Sequence, residues 1–465
     1  MKYIKPTIDL LTNQIQVSDI DSEYLDGICR KVQEVFDAFS MNAKVVGNKV
    51  SPLNIILDVN LDVGIKLKDV STLSQNIELS LGTPIKLFCD TDESQMIQIA
   101  IPHAESELVR LRKVIETDSF KKLNSSLGIA AGVDEKGKPV VLDLEDTPHM
   151  MITGVTGSGK TVFMDDIILS IISKASPDEV KFLLIDPVRS DFRAYDDMPH
   201  LICPVLSNKG EIANALSLIA EEINTRNRLI FEHGKTITAY NSNVTGKDRL
   251  CRIVVIIDKF LDLVDDVPKS IKDSINKISS QGRSVGIHII INTQSPYSEV
   301  VDGTTKANLT CRVAFSLTTG YESRAAIERT GAEKLSNPGE MLIVQGGDRR
   351  SIHAQASYVS YEEIKSFIKD LKEKNDSPVY QGAFAEVHED IVVLEDRALM
   401  IKALEFILQN VKTSADQIRK ELKLTEAESY EMIRILEQNG FIDSYHQGYH
   451  KVLYEQVSEA LKFLA

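Results

Sequence analysis

Residues 149–161 read HMMITGVTGSGKT. Residues 149–153 predict a buried strand, glycines follow at positions 154, 157 and 159, and residues 162–172 predict a helix. Such glycines let successive backbone N–H groups converge on phosphate oxygens at a helix N-terminus, where Lys160 adds a cation and the Thr161 hydroxyl can ligate Mg²⁺. The predicted nucleotide-binding residues are Gly154, Val155, Thr156, Gly157, Ser158, Gly159, Lys160 and Thr161.

A second polar position follows a β-branched run about a hundred residues later. Residues 253–257 read IVVII and lead into Asp258 and Lys259, a pattern typical of a central parallel strand. A carboxylate at that strand end can hold the hydration shell of Mg²⁺, and the next residue usually polarises the attacking water. Because a charged lysine accepts no proton, the loss of that base would slow hydrolysis by about 10²- to 10⁴-fold. The sequence predicts ATP and Mg²⁺ binding and leaves hydrolysis open.

Composition excludes several classes of protein. The chain has 465 residues, enough for roughly three domains, and 43% apolar with 26% charged residues indicates a globular protein. No apolar run approaches the length that spans a bilayer, no signal peptide is evident, and five scattered cysteines fit a reduced, cytoplasmic compartment. The net charge of −15 argues against a whole surface that coats nucleic acid, but leaves room for DNA in a local basic channel.

The order of predicted elements indicates an α/β protein with separate domains. Residues 1–125 predict a small α/β domain, with a helix after the candidate cap Ser22 and an alternating strand around Ile97, Ile99 and Ile101. Residues 126–374 alternate strands and helices, which predicts a parallel sheet with helices on both faces. Beyond the strand at 149–153, the predicted core strands are 181–186, 252–258, 287–293, 312–317 and 341–345.

The C-terminal region predicts a separate module. Residues 375–396 are polar and contain Pro378 and Gly382, which indicates a linker. Residues 397–465 predict three amphipathic helices, at 398–409, 414–422 and 426–438, and a hairpin at 441–454 that turns at Gly448. This arrangement suggests a winged-helix module. Its predicted core is Leu404, Ile407, Ile418, Leu422, Ile433 and Leu436.

Several short motifs occur together along the chain: PTIDLL at 6–11, the glycine-rich loop at 154–162, IDPVR at 185–189 with Tyr195 and PHL at 199–201, GRSVGIH at 282–288, TQ at 293–294, KAN at 306–308, SR at 323–324, and GAEKL at 331–335. With these motifs the chain resembles the soluble motor of the FtsK/SpoIIIE DNA translocases over nearly its whole length. Val188 stands where that family has a lysine.

The resemblance implies a RecA-like P-loop ATPase core that assembles as a homo-oligomeric, hexameric ring and threads double-stranded DNA through its centre. It implies that Gln294 senses the γ-phosphate and that an arginine from the neighbouring subunit completes the site, for which Arg312 and Arg324 are the candidates. A structural salt bridge is the alternative for each arginine. The candidate DNA-phosphate contacts are Arg283, Lys306, Arg349 and Arg350.

The chain departs from the family pattern in three places. Lys259 stands where the family has glutamate, and Ser295 stands where an arginine commonly follows Thr-Gln. Asp262 and Asp265 are acidic neighbours of Lys259, but neither is expected to face the γ-phosphate. The helix expected to read DNA, residues 426–434, carries three carboxylates and one arginine, so a protein partner or a structural role suits the module at least as well.

The third departure is at the N-terminus, because many family members carry transmembrane helices ahead of the domain with which this chain begins. The chain is therefore a naturally soluble member or a fragment. The leading functional hypothesis is an ATP-dependent double-stranded DNA translocase acting in chromosome segregation or on mobile DNA. The alternatives are an ATP-binding ring scaffold without hydrolysis and a conjugative coupling or secretion ATPase.

Overall fold

The structure is a computed structural model. It describes residues 3–13, 21–62, 65, 67–89, 96–102, 108–231, 235–264, 269–297, 301, 303–335, 338–346, 351–378, 380, 384, 397–410, 412–424, 429, 432–433, 435–437, 441–443, 450–453 and 457. The chain divides into two compact units, Met1–Val205 with Ile219–Val379, and Leu206–Leu218 with Tyr380–Ala465. Within the described ranges, none of the helices has both the length and the apolar character needed to cross a bilayer.

The first unit begins with a four-stranded antiparallel sheet and two helices. The strands are β1 (Ala43–Val50), β2 (Asn54–Leu61), β3 (Lys86–Cys89) and β4 (Met96–Pro102), in the order β1-β2-β4-β3, and the helices are α1 (Ser22–Ala38) and α2 (Leu67–Leu81). Ile97, Ile99 and Ile101 are buried, as their alternation predicted. The cap of α1 is Asp21, whose side chain accepts from the Glu23 N–H, and not the predicted Ser22, which is the first helical residue.

A larger sheet forms the centre of the unit. Its strands are β5 (Val109–Arg110), β6 (Gly128–Asp134), β7 (Pro139–Asp143), β8 (His149–Thr153), β9 (Val180–Ile185), β10 (Arg252–Ile257), β11 (Ile287–Thr293), β12 (Cys311–Ala314), β13 (Glu340–Val344) and β14 (Ile352–Tyr358). The order is β7-β6-β14-β13-β12-β8-β11-β10-β9, with β5 pairing β14.

The predicted parallel sheet is only half of what the structure contains. Strands β12, β8, β11, β10 and β9 are parallel neighbours. The β12–β13, β13–β14, β14–β6 and β6–β7 pairs are antiparallel, so the sheet is mixed. The β6–β7 and β13–β14 connections are too short for a helical crossover, and short connections join antiparallel strands.

Helices of several lengths connect these strands. They are α3 (Leu111–Ile115), α4 (Asp118–Lys121), α5 (Lys160–Lys174), α6 (Lys209–Phe231), α7 (Ile237–Asn243), α8 (Phe260–Val264), α9 (Lys269–Gln281), α10 (Gly303–Asn308), α11 (Gly320–Ile327) and α12 (Tyr361–Lys374). Most of α5 is buried, including two acidic residues. Asp165 accepts from the Tyr195 hydroxyl at 2.7 Å and Asp166 from the Ser357 hydroxyl at 3.1 Å, so both buried carboxyls have partners.

A charged cluster joins the antiparallel sheet to the larger one. His353 on β14 lies between Glu135, which it contacts through Nδ1, and Glu340 on β13, 2.7 Å from Nε2. Lys86 on β3 contacts the same Glu135 and lies 3.1 Å from His353 Nδ1. Burial alone lowers the pKa of His353, but the hydrogen bonds to Glu135 and Glu340 outweigh burial and raise it.

The first residues of the chain are tied to helix α12 near the end of the same unit. We call residues 3–13 the N-terminal strap. The Ile4 N–H donates to Asn375 at 2.9 Å, the Thr7 N–H to Asp370 at 2.8 Å, and the Thr12 N–H to Glu363 at 2.6 Å. None of these three N–H groups lies in a helix or a strand. Side chains at the end of the unit therefore supply the hydrogen-bond acceptors that a neighbouring strand would supply in a sheet.

The second unit contains α13 (Arg397–Leu408), β15 (Lys412–Thr413), α14 (Ala415–Leu422) and β16 (His450–Lys451), with β15 antiparallel to β16. Leu404, Ile407, Ile418, Ile433 and Leu436 are buried in one apolar cluster as predicted, and Leu422 packs at its edge. An antiparallel bridge joins Ile442 to Val452. The predicted turn at Gly448 and most of the helix at 426–434 lie outside the described residues, so the winged-helix assignment stays a prediction.

Candidate nucleotide site

The glycine-rich loop joins β8 to α5 at the carboxyl end of the parallel strands. Gly154 and Gly159 have φ angles of 154° and 110°, which disfavour other residues. A Cβ on Gly154 would lie 2.7 Å from Phe315 Cβ, and one on Gly159 would lie 3.0 Å from the Gly339 nitrogen. The loop therefore has the left-handed glycine conformations that a phosphate-binding loop requires, and α5 begins at Lys160, two residues before the predicted start at residue 162.

Lys160 lies inside this loop. Its Nζ donates to the carbonyl oxygens of Gly154 and Val155, each at 2.8 Å, and the residue is 7% exposed. Burial lowers the pKa of Lys160 to about 8, although the charge of Asp258 opposes that fall. The ammonium is thus held at the centre of the loop, where a triphosphate would meet it. Thr161 follows in the first turn of α5 and is half-buried.

Asp258 follows β10, two strands away from β8 with β11 between them. The residue is 1% exposed, and its Oδ1 accepts from Asn292 Nδ2 at 2.5 Å. Its Oδ2 receives no hydrogen bond from an amide, ammonium or hydroxyl group within the part of the chain that is described. A buried carboxylate oxygen of this kind fits Mg²⁺, which commonly binds one or two carboxylates together with waters and substrate phosphates.

Asp258 and Asp191 both lie near the Lys259 ammonium, whose Nζ is 3.6 Å from Asp258 Oδ2 and 2.7 Å from Asp191 Oδ2. A negative charge close to a carboxyl disfavours its ionised form and raises its pKa. Burial, together with the neighbouring Asp191, raises the pKa of Asp258 to about 7. Burial also raises the pKa of Asp191, but the hydrogen bonds from Asp258 and Lys259 more than cancel that effect and lower it.

Lys259 takes an unusual backbone conformation, with φ at 47° in the left-handed region. A residue other than glycine is strained there by about 1–3 kcal/mol, and such strain is common at functional sites. Its Nζ donates to Asp191 Oδ2 at 2.7 Å and to the Ser190 hydroxyl, and lies 3.6 Å from Asp258 Oδ2. The side chain therefore reaches across to the loop after β9.

That loop is held by Asp186, a fully buried residue at the end of β9. Its Oδ2 accepts from the N–H groups of Asp191 and Phe192 at 2.8 and 3.3 Å, and its Oδ1 accepts from the Val188 N–H at 3.3 Å. An aspartate that binds the backbone of the next turn fixes the conformation of that turn. The fixed turn brings Asp191 near Asp258, a proximity that sequence reasoning missed.

Gln294 immediately follows β11, the strand between β8 and β10, and its side chain is exposed. The order of the strands places Gln294 at the same edge of the sheet as the glycine-rich loop and Asp258. The position suits the predicted sensing of a γ-phosphate.

The two arginine candidates have different environments. Arg312 is 9% exposed and donates to Glu328 at 2.7 Å and to the carbonyls of Lys306 and Leu309 at 2.9 and 3.2 Å. This is the structural salt bridge that was the alternative for this residue. Arg324 is exposed on α11, which leaves it the better candidate for reaching a neighbouring subunit.

The candidate DNA contacts do not lie together. Lys306 donates to the Pro296 carbonyl, and burial lowers its pKa. Arg283 precedes β11 at the amino edge of the parallel strands, opposite the glycine-rich loop, where it lines a groove of about 550 Å³ with Arg252 and several hydroxyl side chains. Arg349 and Arg350 lie outside the described residues.

Comparison with known proteins places most of this chain in one group. A model of the FtsK/SpoIIIE family matches residues 110–298, and a model of the FtsK alpha domain matches residues 5–103. The DNA translocase FtsK of Caldanaerobacter subterraneus subsp. tengcongensis is 33% identical over 448 residues, which cover 96% of this chain and 63% of the relative. The DNA translocase SftA of Bacillus subtilis is 31% identical over 447 residues, which cover 95% of this chain and 47% of the relative.

Solved structures share the fold at lower identity. The conjugation coupling protein TcpA of pCW3, solved with ATPγS, has a TM-score of 0.53 and 19% identity, and the match covers 75% of this chain and 100% of that one. The cytoplasmic domain of the type VII secretion ATPase EccC of Thermomonospora curvata has a TM-score of 0.51 and 19% identity over 58% of this chain and 35% of that one. The chain thus spans less than two thirds of the curated relatives and has a P-loop ATPase fold.

Proposed function

Because the chain belongs to the FtsK/SpoIIIE family, we propose that it is an ATP-driven motor that moves double-stranded DNA. The observation that carries the proposal is the convergence of the glycine-rich loop, Asp258 and Gln294 on one edge of the parallel strands. A triphosphate bound by the loop would have its terminal phosphates near all three. This is the arrangement by which P-loop ATPases couple nucleotide state to movement.

In this proposal each residue of the site has a separate task. The backbone N–H groups of the loop and the Lys160 ammonium bind the terminal phosphates, while Thr161 and Asp258 hold Mg²⁺ and its waters. A Mg²⁺ ion held there would supply positive charge to the terminal phosphates. Gln294 contacts the γ-phosphate and transmits its loss to β11. Asn292, through its 2.5 Å bond, keeps the Asp258 carboxyl oriented toward the loop.

The proposed working unit is a homo-oligomeric ring of this chain around the duplex. Arg324 of one subunit would reach the nucleotide of the next and stabilise charge on the transferred phosphoryl group. Arg283 and Lys306 would contact DNA phosphates. An arrangement in which each site needs its neighbour makes hydrolysis depend on assembly.

One observation favours a second function. Lys259 stands beside Asp258 where a catalytic glutamate is expected, and its ammonium pairs with Asp191. A site with no carboxylate for the attacking water would bind ATP and hydrolyse it slowly. The chain would then act as an ATP-binding scaffold of a ring, alone or beside an active relative.

A DNA-stimulated ATPase assay combined with displacement of a triplex-forming strand separates the two functions. Wild-type protein, Lys259→Glu and Lys160→Ala are compared at saturating ATP and duplex DNA. The motor predicts turnover and displacement in the wild type and neither in Lys160→Ala. Tight ATP binding with turnover only in Lys259→Glu would favour the scaffold and reject the motor.

A further inference from the structure

A carboxylate other than the expected glutamate lies at the end of the strand that carries Asp258. Residue 259 itself supplies none, because it is a lysine whose ammonium reaches to Asp191. Asp191 Oδ2 lies 2.7 Å from that ammonium, which in turn lies 3.6 Å from Asp258 Oδ2. The loop that follows β9, the strand next to β10, therefore places an acidic side chain near Asp258.

The register of strands β9 and β10 explains why Asp191 lies near Asp258. Strands β9 and β10 are parallel, and Ile185 pairs with Ile257, so Asp186 and Asp258 are the next residues on adjacent strands. The turn after Asp186 is fixed by the three N–H groups that its carboxylate accepts. Asp191 lies at the end of this turn, where it forms an ion pair with Lys259. The placement depends on two independent sets of contacts.

We propose that Asp191 supplies the carboxylate that aligns and deprotonates the attacking water in place of the missing glutamate, and that Lys259 positions it. This assignment rests on the proposed ATPase function. The water oxygen forms a bond to the γ-phosphorus while the bond from that phosphorus to the bridging oxygen breaks, and ADP leaves with the electron pair. The proton lost by the water passes to Asp191 and then to the released phosphate.

Other acids near the loop fit this role less well. Asp165 is only 7% exposed in α5 and accepts from the Tyr195 hydroxyl at 2.7 Å, so little of its carboxyl is open to solvent. Asp262 is exposed on α8, and among the described residues it makes no hydrogen bond to Asp258. Asp191 combines a position near Asp258 with a side chain that is 22% exposed, so solvent reaches it. A general base must be both within reach and accessible to its proton.

The test is steady-state ATP hydrolysis with duplex DNA in Asp191→Asn, Asp191→Glu and the matched control Asp262→Asn. We expect Asp191→Asn to lower kcat by about 10²- to 10⁴-fold while the KM and Kd for ATP stay near wild-type values. Asp191→Glu should retain a measurable part of kcat, and Asp262→Asn should be unchanged. The ATP Kd and the thermal midpoint show whether each variant is folded.

A double variant provides the decisive comparison. Adding Lys259→Glu to Asp191→Asn places a carboxylate at the family position, so turnover should return. Wild-type turnover that survives Asp191→Asn would overturn the role of Asp191 and leave the motor intact. An inert wild type that gains turnover from Lys259→Glu alone would overturn it as well. Turnover that needs Asp191 but never displaces the triplex strand would keep the role and reject DNA movement.

Discussion

Lys160 binds two carbonyls of its own loop in a buried position, so its substitution affects binding before it affects catalysis. Hydrogen bonds to charged groups contribute about 1.5–3 kcal/mol, so Lys160→Ala should weaken ATP binding by about 10- to 150-fold. Equilibrium titration with a fluorescent ATP analogue measures the change. Lys122→Ala, which removes a surface lysine on another helix end, is the control and should bind ATP normally. An unchanged Kd in Lys160→Ala would contradict the assignment of the loop.

We expect alanine substitutions of Arg312 and Arg324 to have opposite effects on stability and on turnover. Arg312→Ala leaves the Lys306 and Leu309 carbonyls without their donor, so we expect a loss of about 1–3 kcal/mol in unfolding free energy. Arg324→Ala should leave stability unchanged and lower turnover. Thermal unfolding and ATPase rates of both variants measure this difference. The assignment fails if Arg312→Ala keeps wild-type stability or if Arg324→Ala keeps wild-type turnover.

The part of the site that is contiguous in sequence could be predicted residue by residue. The glycine-rich loop, Lys160 and Asp258 can each be recognised from their residue types and from the predicted strand that precedes them. Asp191 could not be predicted, although residues 185–189 were recognised as a motif only two positions earlier. Its role depends on β9 lying beside β10, and strand order is a property of the folded sheet. Arg312 shows the same limit, because its Glu328 partner lies on another element.

At the scale of secondary-structure elements, stability depends on pH through the link between β3 and β14. This link consists of Lys86, Glu135 and His353. The pKa of His353 is raised in the folded chain, so its contribution is complete below the unfolded pKa of about 6.5 and is lost as pH rises through the folded value. We expect His353→Gln to cost about 1–3 kcal/mol near pH 6 and less near pH 9. Thermal unfolding of wild type and variant at both pH values tests this.

His200 is the matched control for this prediction. It is buried, and burial lowers its pKa to about 4, so the folded chain holds it neutral while the unfolded chain protonates it below its ordinary value. The stability lost in His200→Gln should therefore grow as pH rises from 6 to 9, about the opposite of His353→Gln. A destabilisation of His353→Gln that does not change with pH would show that the histidine stays uncharged.

Elements with a strong local signal matched the structure closely. The strands at 149–153 and 287–293 have the predicted bounds, because each contains a short apolar run, at 150–152 and 289–291, that is bounded by polar residues. The antiparallel half of the sheet was not predicted. Strands β6 and β7 carry alternating and small residues that resemble loop sequence, and β14 pairs with β5, β6 and β13 from three separate regions of the chain. Such non-local pairing leaves no periodic signal in any one segment.

On the scale of the whole molecule, a net charge of −15 means that the proposed DNA binding depends on a local basic surface. Each phosphate contact that is lost lowers the slope of log K against log salt concentration by about one. Arg283→Ala should show this reduction and bind all duplex sequences more weakly. Arg30→Ala, which removes an exposed arginine from α1, should leave the slope unchanged. Fluorescence anisotropy across a salt series gives the slopes, and equal slopes in all three proteins would exclude Arg283 from the DNA contact.

The N-terminal strap gives this unit a particular order of assembly during synthesis. Thr12 and its partner Glu363 are 351 positions apart, and Ile4 and Asn375 are 371 apart. At about 5–20 residues per second, a ribosome needs roughly 20–70 s to make the partners of the strap after making the strap itself. The sheet can form from the inside outward during that interval while its first segment stays unattached. Docking of α12 then secures the beginning and the end of the unit in one step, so we expect resistance to proteolysis to arise late and abruptly on the nascent chain.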